Sequence, residues 1–172
     1  TPSETTRIYD IKGRPLASIH DEANREVIPI NQISPDLKRA VLAIEDSNFY
    51  NHLGIYPIGI IRAFVANLEQ GKTVEGGSTV TMQLVKNLFL SPTAKLSRKV
   101  AEAVLAIRME QIMAKNEILE LYLNQIYWGH NLYGVETAAQ SYFNKSSKDL
   151  TLAEAALMLS LIHISEPTRP SQ

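Results

Sequence analysis

The spacing of apolar residues divides the chain into a short extended start and a long helical remainder. Ile8 and Tyr9 precede a turn cluster, Asp10-Ile11-Lys12-Gly13-Arg14-Pro15, and Leu16 to Ile19 returns. This predicts a β-hairpin within residues 7–30. From Ser34 onward the period is that of a helix. Ser34-Pro35 reads as a cap followed by a proline in the first turn. Leu37, Val41 and Ile44 then share one face. A second helix opens at Pro57 and ends before Gly71. It carries Ile58, Ile60, Ile61, Phe64, Val65 and Leu68 and few charges, more apolar surface than one buried face needs. It is either a core helix or a surface that dips into a membrane interface.

A loop ending in Gly76-Gly77 leads to a third helix, from about Ser78 to Leu90, which Pro92 stops. A fourth runs from Arg98 to about Ala114 and a fifth from about Asn116 to Tyr127. A connection rich in glycine and aromatics holds Trp128-Gly129-His130 and Tyr133-Gly134, and Val135 to Phe143 is helical again. Thr151-Leu152-Ala153-Glu154 is a capping box before the apolar Ala155 to Leu159. There is no internal repeat. The expected fold is mainly α with a small N-terminal β-hairpin.

Composition narrows the function classes. The 172 residues suffice for one domain with a real core, and 45% hydrophobic with 20% charged residues is ordinary for a globule. A net charge of −1 gives no basic field for nucleic acid. Without cysteine there are no disulfides or thiolate metal sites. No apolar run approaches the ~18 residues of a spanning helix. The chain starts at Thr1 without a signal-like segment and reads as an excised piece, so the expectation is a membrane anchor missing upstream.

Candidate chemistry centres on carboxylates. Glu45 and Asp46 follow the apolar run Ala40-Val41-Leu42-Ala43-Ile44, at the end of the first predicted helix. A helix C-terminus carries partial negative charge, so an anion is unfavourably placed there, and a second carboxylate beside it adds to the repulsion. A carboxylate whose charged form is disfavoured is suited to act as a general base near neutral pH. Glu102 shares a helix face with Leu105, Met109, Ile112 and Met113, while Val100, Val104 and Ile107 make the other face apolar too. A helix apolar all round is buried, and a Glu inside it needs a partner. Position alone leaves open a structural ion pair with Arg98 or Lys99 and a functional role.

The segment Gly76-Gly77-Ser78-Thr79 opens a helix whose free N–H groups suit an anion, phosphate above all. Thr79, Gln83 and Lys86/Asn87 form a polar stripe along it, and Lys86 can point its charge at the same anion. An ordinary hinge with an N-cap is the plainer explanation. Lys95, Arg98 and Lys99 cluster at the start of the fourth helix, where a bound anion or carboxylate would relieve the unfavourable dipole. His52 and His130 fit no metal spacing and are read as hydrogen-bonding groups, so no protein metal site is expected. Paired carboxylates, an anion cradle and cations suit displacement of a phosphate leaving group from a sugar, or glycosidic hydrolysis.

Four segments together resemble the glycosyltransferase domain of peptidoglycan synthases, the class A penicillin-binding proteins and monofunctional transglycosylases. They are Glu-Asp-x-x-Phe-x-x-His-x-Gly at 45–54, Gly-Gly-Ser-Thr-x-Thr-x-Gln-Leu-Val-Lys-Asn at 76–87, Arg-Lys-x-x-Glu at 98–102, and Lys-x-x-Ile-Leu-x-x-Tyr-Leu-Asn at 115–124. They stand in family order, and the likeness runs from roughly residue 7 to 158. The resemblance implies a lysozyme-like α fold and inverting transfer from a lipid diphosphate, with lipid II as substrate and a β-1,4-linked glycan strand as product. It implies Glu45 as general base and Glu102 as an assisting group near the donor. It implies a substrate-binding set of Asp46, His52, Ser78, Thr79, Gln83, Lys86, Asn87, Lys95, Arg98 and Lys99. It also implies a divalent cation such as Mg²⁺ assisting the diphosphate and no organic cofactor.

The partners implied are lipid-linked glycan, the membrane surface through residues 58–68, a fused transpeptidase domain and other cell-wall synthesis proteins. The location implied is the extracytoplasmic face of the bacterial cell membrane. The chain departs from the family pattern at Met82, where glutamine is usual, at Ala94, where arginine is usual, and at Tyr56, where aspartate is frequent. The expected organisation is a hairpin or linker at 1–30, the glycosyltransferase domain at 31–159, and a non-native tail at 160–172 that leaves the domain truncated. The competing functions are a lysozyme-like glycan hydrolase using Glu45 as acid and a non-catalytic membrane-docking module.

Overall fold

The period of the sequence is realised as helices. The structure is a computed structural model that describes residues 6–9, 15–19, 26–59, 77–89 and 96–165. Strand β1 (Thr6–Tyr9) pairs antiparallel with β2 (Pro15–Ile19), with Thr6 opposite Ile19 and Ile8 opposite Ala17. The register shifts between Ile8 and Tyr9, and Pro15, which has no N–H, stands at the first position of its strand. The expected turn at 10–14 lies outside the described residues. Helices follow as α1 (Pro35–Glu45), α2 (Val80–Phe89), α3 (Leu96–Ile112), α4 (Lys115–Gln125), α5 (Val135–Phe143) and α6 (Leu152–Ser165). Residues 57–59 are helical, as expected from Pro57 onward, and the rest of the apolar segment 58–68 lies outside the described residues. The architecture is mainly α, as the apolar spacing predicts. Among the described residues no helix is long and apolar enough to cross a membrane.

The chain divides into two compact units. The first comprises Thr1–Ala40 and Leu123–Gln172. Ile33, Leu37, Leu123, Trp128, Val135 and Met158 form its buried centre. Asn124, also buried, stitches the N-terminal segment in place: its Oδ1 accepts from Ile28 N at 3.0 Å and its Nδ2 donates to Ile28 O at 2.8 Å. The predicted capping box forms, with Thr151 N donating to Glu154 Oε2 at 2.9 Å and Glu154 N donating to Thr151 Oγ1 at 3.4 Å.

The second unit is Val41–Tyr122. Val41, Phe49, Val80, Leu84, Val85 and Ile118 are buried in it, and α2 packs on α3. Burying each such side chain contributes about 1.5–3 kcal/mol. One expectation is corrected. Helix α3 is not buried on both faces, because Val100 and Val104 are 61% and 46% exposed. Single apolar side chains on a surface are common. The face that holds Glu102, Ala106 and Met109 is the buried one. Met82 is buried as well, so the core of this unit accepts a thioether at that position.

Candidate active site

Two adjacent carboxylates part company where α1 ends. Asp46 N still donates to Leu42 O at 3.0 Å, the last helical hydrogen bond. Glu45 is the final residue of α1 and is half-buried. Its Oε2 accepts from Gln83 Nε2 at 2.9 Å. Gln83 Oε1 in turn accepts from the Tyr122 hydroxyl at 3.2 Å. Asp46 turns inward and is buried. Its Oδ2 accepts from Val80 N, the first amide of α2, at 3.0 Å. His52 Nε2 lies 3.0 and 2.9 Å from the two carboxylate oxygens. A carboxylate only accepts, so that nitrogen carries the proton.

This arrangement corrects the expected anion cradle. The start of α2 does hold an anion, but the anion is Asp46, placed on the positive end of the helix dipole. Thr79 is committed to the protein too. Its Oγ1 accepts from Met82 N at 3.1 Å, as an N-cap does, and donates to Gly54 O at 2.6 Å. Lys86 sits in the last turn of α2 rather than at its start, where its charge suits the negative end of the dipole. Asn87 is exposed, and Lys95 lies outside the described residues.

Beyond His52 the buried polar chain continues. Its Nδ1 is 4.0 Å from Glu110 Oε1, too long for a hydrogen bond. Glu110 Oε1 accepts from Thr81 Oγ1 at 2.6 Å, and Glu110 Oε2 pairs with Lys115 Nζ at 2.6 Å. Lys115 Nζ lies 4.4 Å from the centre of the Phe49 ring, a cation–π distance. Tyr56 stacks on the His52 ring at 6.3 Å. Gly54 has φ +86°, and a Cβ there would meet the Ala106 carbonyl carbon at 2.6 Å, so only glycine lets this loop approach α3 so closely. Most of the segment 45–54 therefore builds the scaffold, whereas Glu45 stays half-buried with its Oε2 bonded to Gln83. Sequence reasoning gave no role to Thr81, Glu110 or Lys115. Thr81 and Lys115 stand inside the second and fourth motifs, which was the available signal.

The second carboxylate is fully buried. Glu102 Oε1 is 3.1 Å from Arg98 Nε and Oε2 is 2.6 Å from Lys99 Nζ. Both ion pairs that the spacing allowed are made together. Lys99, half-exposed at 49%, also donates to Ser78 Oγ at 2.6 Å. An unpaired anion at this depth would cost several kcal/mol, so the cations are integral to its placement. The triad keeps a net positive charge, and its most exposed member is an ammonium. Helix α2 connects to both carboxylates: Ser78, just before its start, touches Lys99, and Gln83 touches Glu45.

Among the described residues no three His, Asp or Glu side chains gather as a metal site. Glu102 already faces two cations with its two oxygens. A Mg²⁺ held by the protein alone does not fit this donor set.

Comparison with known proteins places these features in context. A family model described as transglycosylase matches residues 12–172. Penicillin-binding protein 1A of Aquifex aeolicus (strain VF5) is 47% identical over 161 residues, 94% of this chain and 22% of that protein. Penicillin-binding protein 1A of Escherichia coli (strain K12) is 47% identical over 155 residues, 90% of this chain and 18% of that protein. Penicillin-binding protein 1F of Bacillus subtilis (strain 168) is 42% identical over 157 residues, 91% of this chain and 22% of that protein. The chain spans about a fifth of the length of these curated relatives.

Proposed function

The chain belongs to the transglycosylase family, and from that premise we propose that it is a peptidoglycan glycosyltransferase that polymerises lipid II. The observation that carries this reading is the pairing of two unlike carboxylates on one scaffold. Glu45 is half-buried at the last position of α1, with one oxygen fixed by a neutral amide. Glu102 is buried and holds two cations. The first has the character of a base. The second organises positive charge for an anionic leaving group.

In the proposed step, a hydroxyl of the acceptor sugar attacks the anomeric carbon of the donor. Its proton passes to the Glu45 carboxylate as the new C–O bond forms. The bond from the anomeric carbon to the lipid diphosphate breaks, and the diphosphate leaves with the electron pair. Attack from the opposite face inverts the configuration, giving a β-1,4 link. Arg98 and Lys99 offset the charge that develops on the diphosphate, and Glu102 fixes where they stand. A glycan hydrolase has no diphosphate to neutralise, so the cationic triad favours transfer. The reading places the domain at the extracytoplasmic face of the cell membrane, beside its lipid-linked substrate, with a transpeptidase domain and other cell-wall synthesis proteins as its partners.

The test is polymerisation of lipid II by the wild type and by Glu45→Gln. The variant keeps the side chain's size and removes the base. Polymer formation falls by about 10²- to 10⁴-fold. Wild-type polymer yield from the variant would overturn the assignment, and release of short sugars from finished peptidoglycan would favour hydrolysis.

A further inference from the structure

The hydrogen bonds behind Glu45 run in one direction. The Tyr122 hydroxyl, on α4, donates to Gln83 Oε1 at 3.2 Å, and Gln83 Nε2, on α2, donates to Glu45 Oε2 at 2.9 Å. Tyr122 is 2% exposed, so its ring is set by packing, whereas Gln83 is half-buried at the edge of the site. A glutamine side chain has a donor end and an acceptor end. With its amine toward Glu45 it steadies the carboxylate. With its carbonyl there, two acceptors would face one another. The phenol secures the carbonyl end, and each donated bond polarises the next.

We infer that Tyr122 is a positioning residue for the general base, acting through the amide of Gln83 to hold Glu45 in the orientation that receives the acceptor's proton. The inference rests on the reading of Glu45 as the base. A base must meet its proton within hydrogen-bond reach, so a small rotation of Glu45 slows the step without weakening substrate binding. The fourth motif thereby gains a chemical task besides its place in the core. Tyr122 touches no reacting atom in this scheme, and its effect is expected in kcat rather than KM.

The experiment is a double-mutant cycle in lipid II polymerisation, using wild type, Tyr122→Phe, Gln83→Met and the double variant, with Glu45→Gln alongside. Tyr122→Phe keeps the ring and its packing. Its kcat falls about tenfold, the loss of one hydrogen bond, with KM changed by less than about twofold. In the Gln83→Met background the same change has no further effect, because the route to Glu45 is already cut. Equal losses in both backgrounds, or a loss confined to KM, would overturn the inference while leaving the base in place. Full activity of Glu45→Gln would instead remove the reading beneath it. Should Tyr122→Phe lower the melting temperature enough to obscure kcat, Gln83→Met decides alone: unchanged kcat there ends the proposal.

Discussion

Glu136 and Glu102 are both buried carboxylates, one in each compact unit, and their surroundings differ in kind. Glu136, in α5, is held by neutral donors. Ser147 N reaches its Oε2 at 2.8 Å, Ser146 Oγ reaches the same atom at 3.3 Å, and Gln140 Nε2 reaches Oε1 at 3.0 Å. These bonds fasten the turn Ser147–Asp149 to the helix. Glu102, in α3, is held by Arg98 and by the half-exposed Lys99. The neutral cage satisfies its carboxylate and offers nothing outward. The cationic cage leaves positive charge at the surface. Burial alone does not separate these two sites, whereas the charge and exposure of the partners do.

The comparison is sharpest when each carboxylate is removed. Glu102→Gln removes the counter-charge from Arg98, only 19% exposed, as well as from the half-exposed Lys99, so folding loses about 3 kcal/mol. Polymerisation of lipid II falls by about 10²- to 10³-fold, because the positive charge is no longer fixed where the diphosphate develops. A melting curve and a polymerisation assay on one preparation check both halves. A collapse in stability with normal activity per folded molecule would reverse the assignment. Glu136→Leu differs in the activity half. It strands buried donors, the Ser147 amide among them, at a cost of about 2–4 kcal/mol. The melting temperature drops by about 5–10 °C, while kcat per folded molecule is retained.

The parts of this contrast that are local were legible in the sequence. Helix α1, its proline start and its end at Glu45 follow from spacing within a few residues, and so does the capping box at Thr151 and Glu154, whereas the Ser34 hydroxyl donates to Leu150 O instead of capping α1. The pairing of Glu102 with Arg98 and Lys99 was readable because i,i+3 and i,i+4 positions adjoin on any helix. What was not legible depends on long-range contact. Nothing near Asp46 reveals that it caps a helix beginning at Val80, which is why an empty anion cradle was expected there. Glu110 received no role, because its partners Thr81 and Lys115 come from other helices. The exposed face of α3 was misjudged because apolar spacing on both sides cannot say which side the protein covers.

Asp46 sharpens the comparison as a third buried carboxylate with mixed partners, one backbone amide and one imidazole. Asp46→Asn retains an acceptor for Val80 N but loses the charge at the head of α2. Its cost is about 1–2 kcal/mol, smaller than that of Glu136→Leu, read as a lower urea midpoint at unchanged slope. A loss of activity with no shift in midpoint would move Asp46 from the scaffold into the reacting set.

Glu154 tests whether charged partners matter when the carboxylate is at the surface. Its pKa is lowered from 4.5 to about 2, first by the hydrogen bond from Lys145, at 2.6 Å, then by the Thr151 amide and hydroxyl. A depressed carboxylate stabilises the fold above its unfolded pKa, and that contribution fades as pH falls from about 4.5 toward about 2. The difference in melting temperature between wild type and Glu154→Gln is therefore present at pH 6. It shrinks through that acidic window and is the smallest of these effects, since water screens the pair. A difference that persists unchanged below the window would mean that the neutral geometry of the capping box, and not the charge of Lys145, carries the contribution. The distinction drawn between Glu136 and Glu102 would then apply only where the carboxylate is buried.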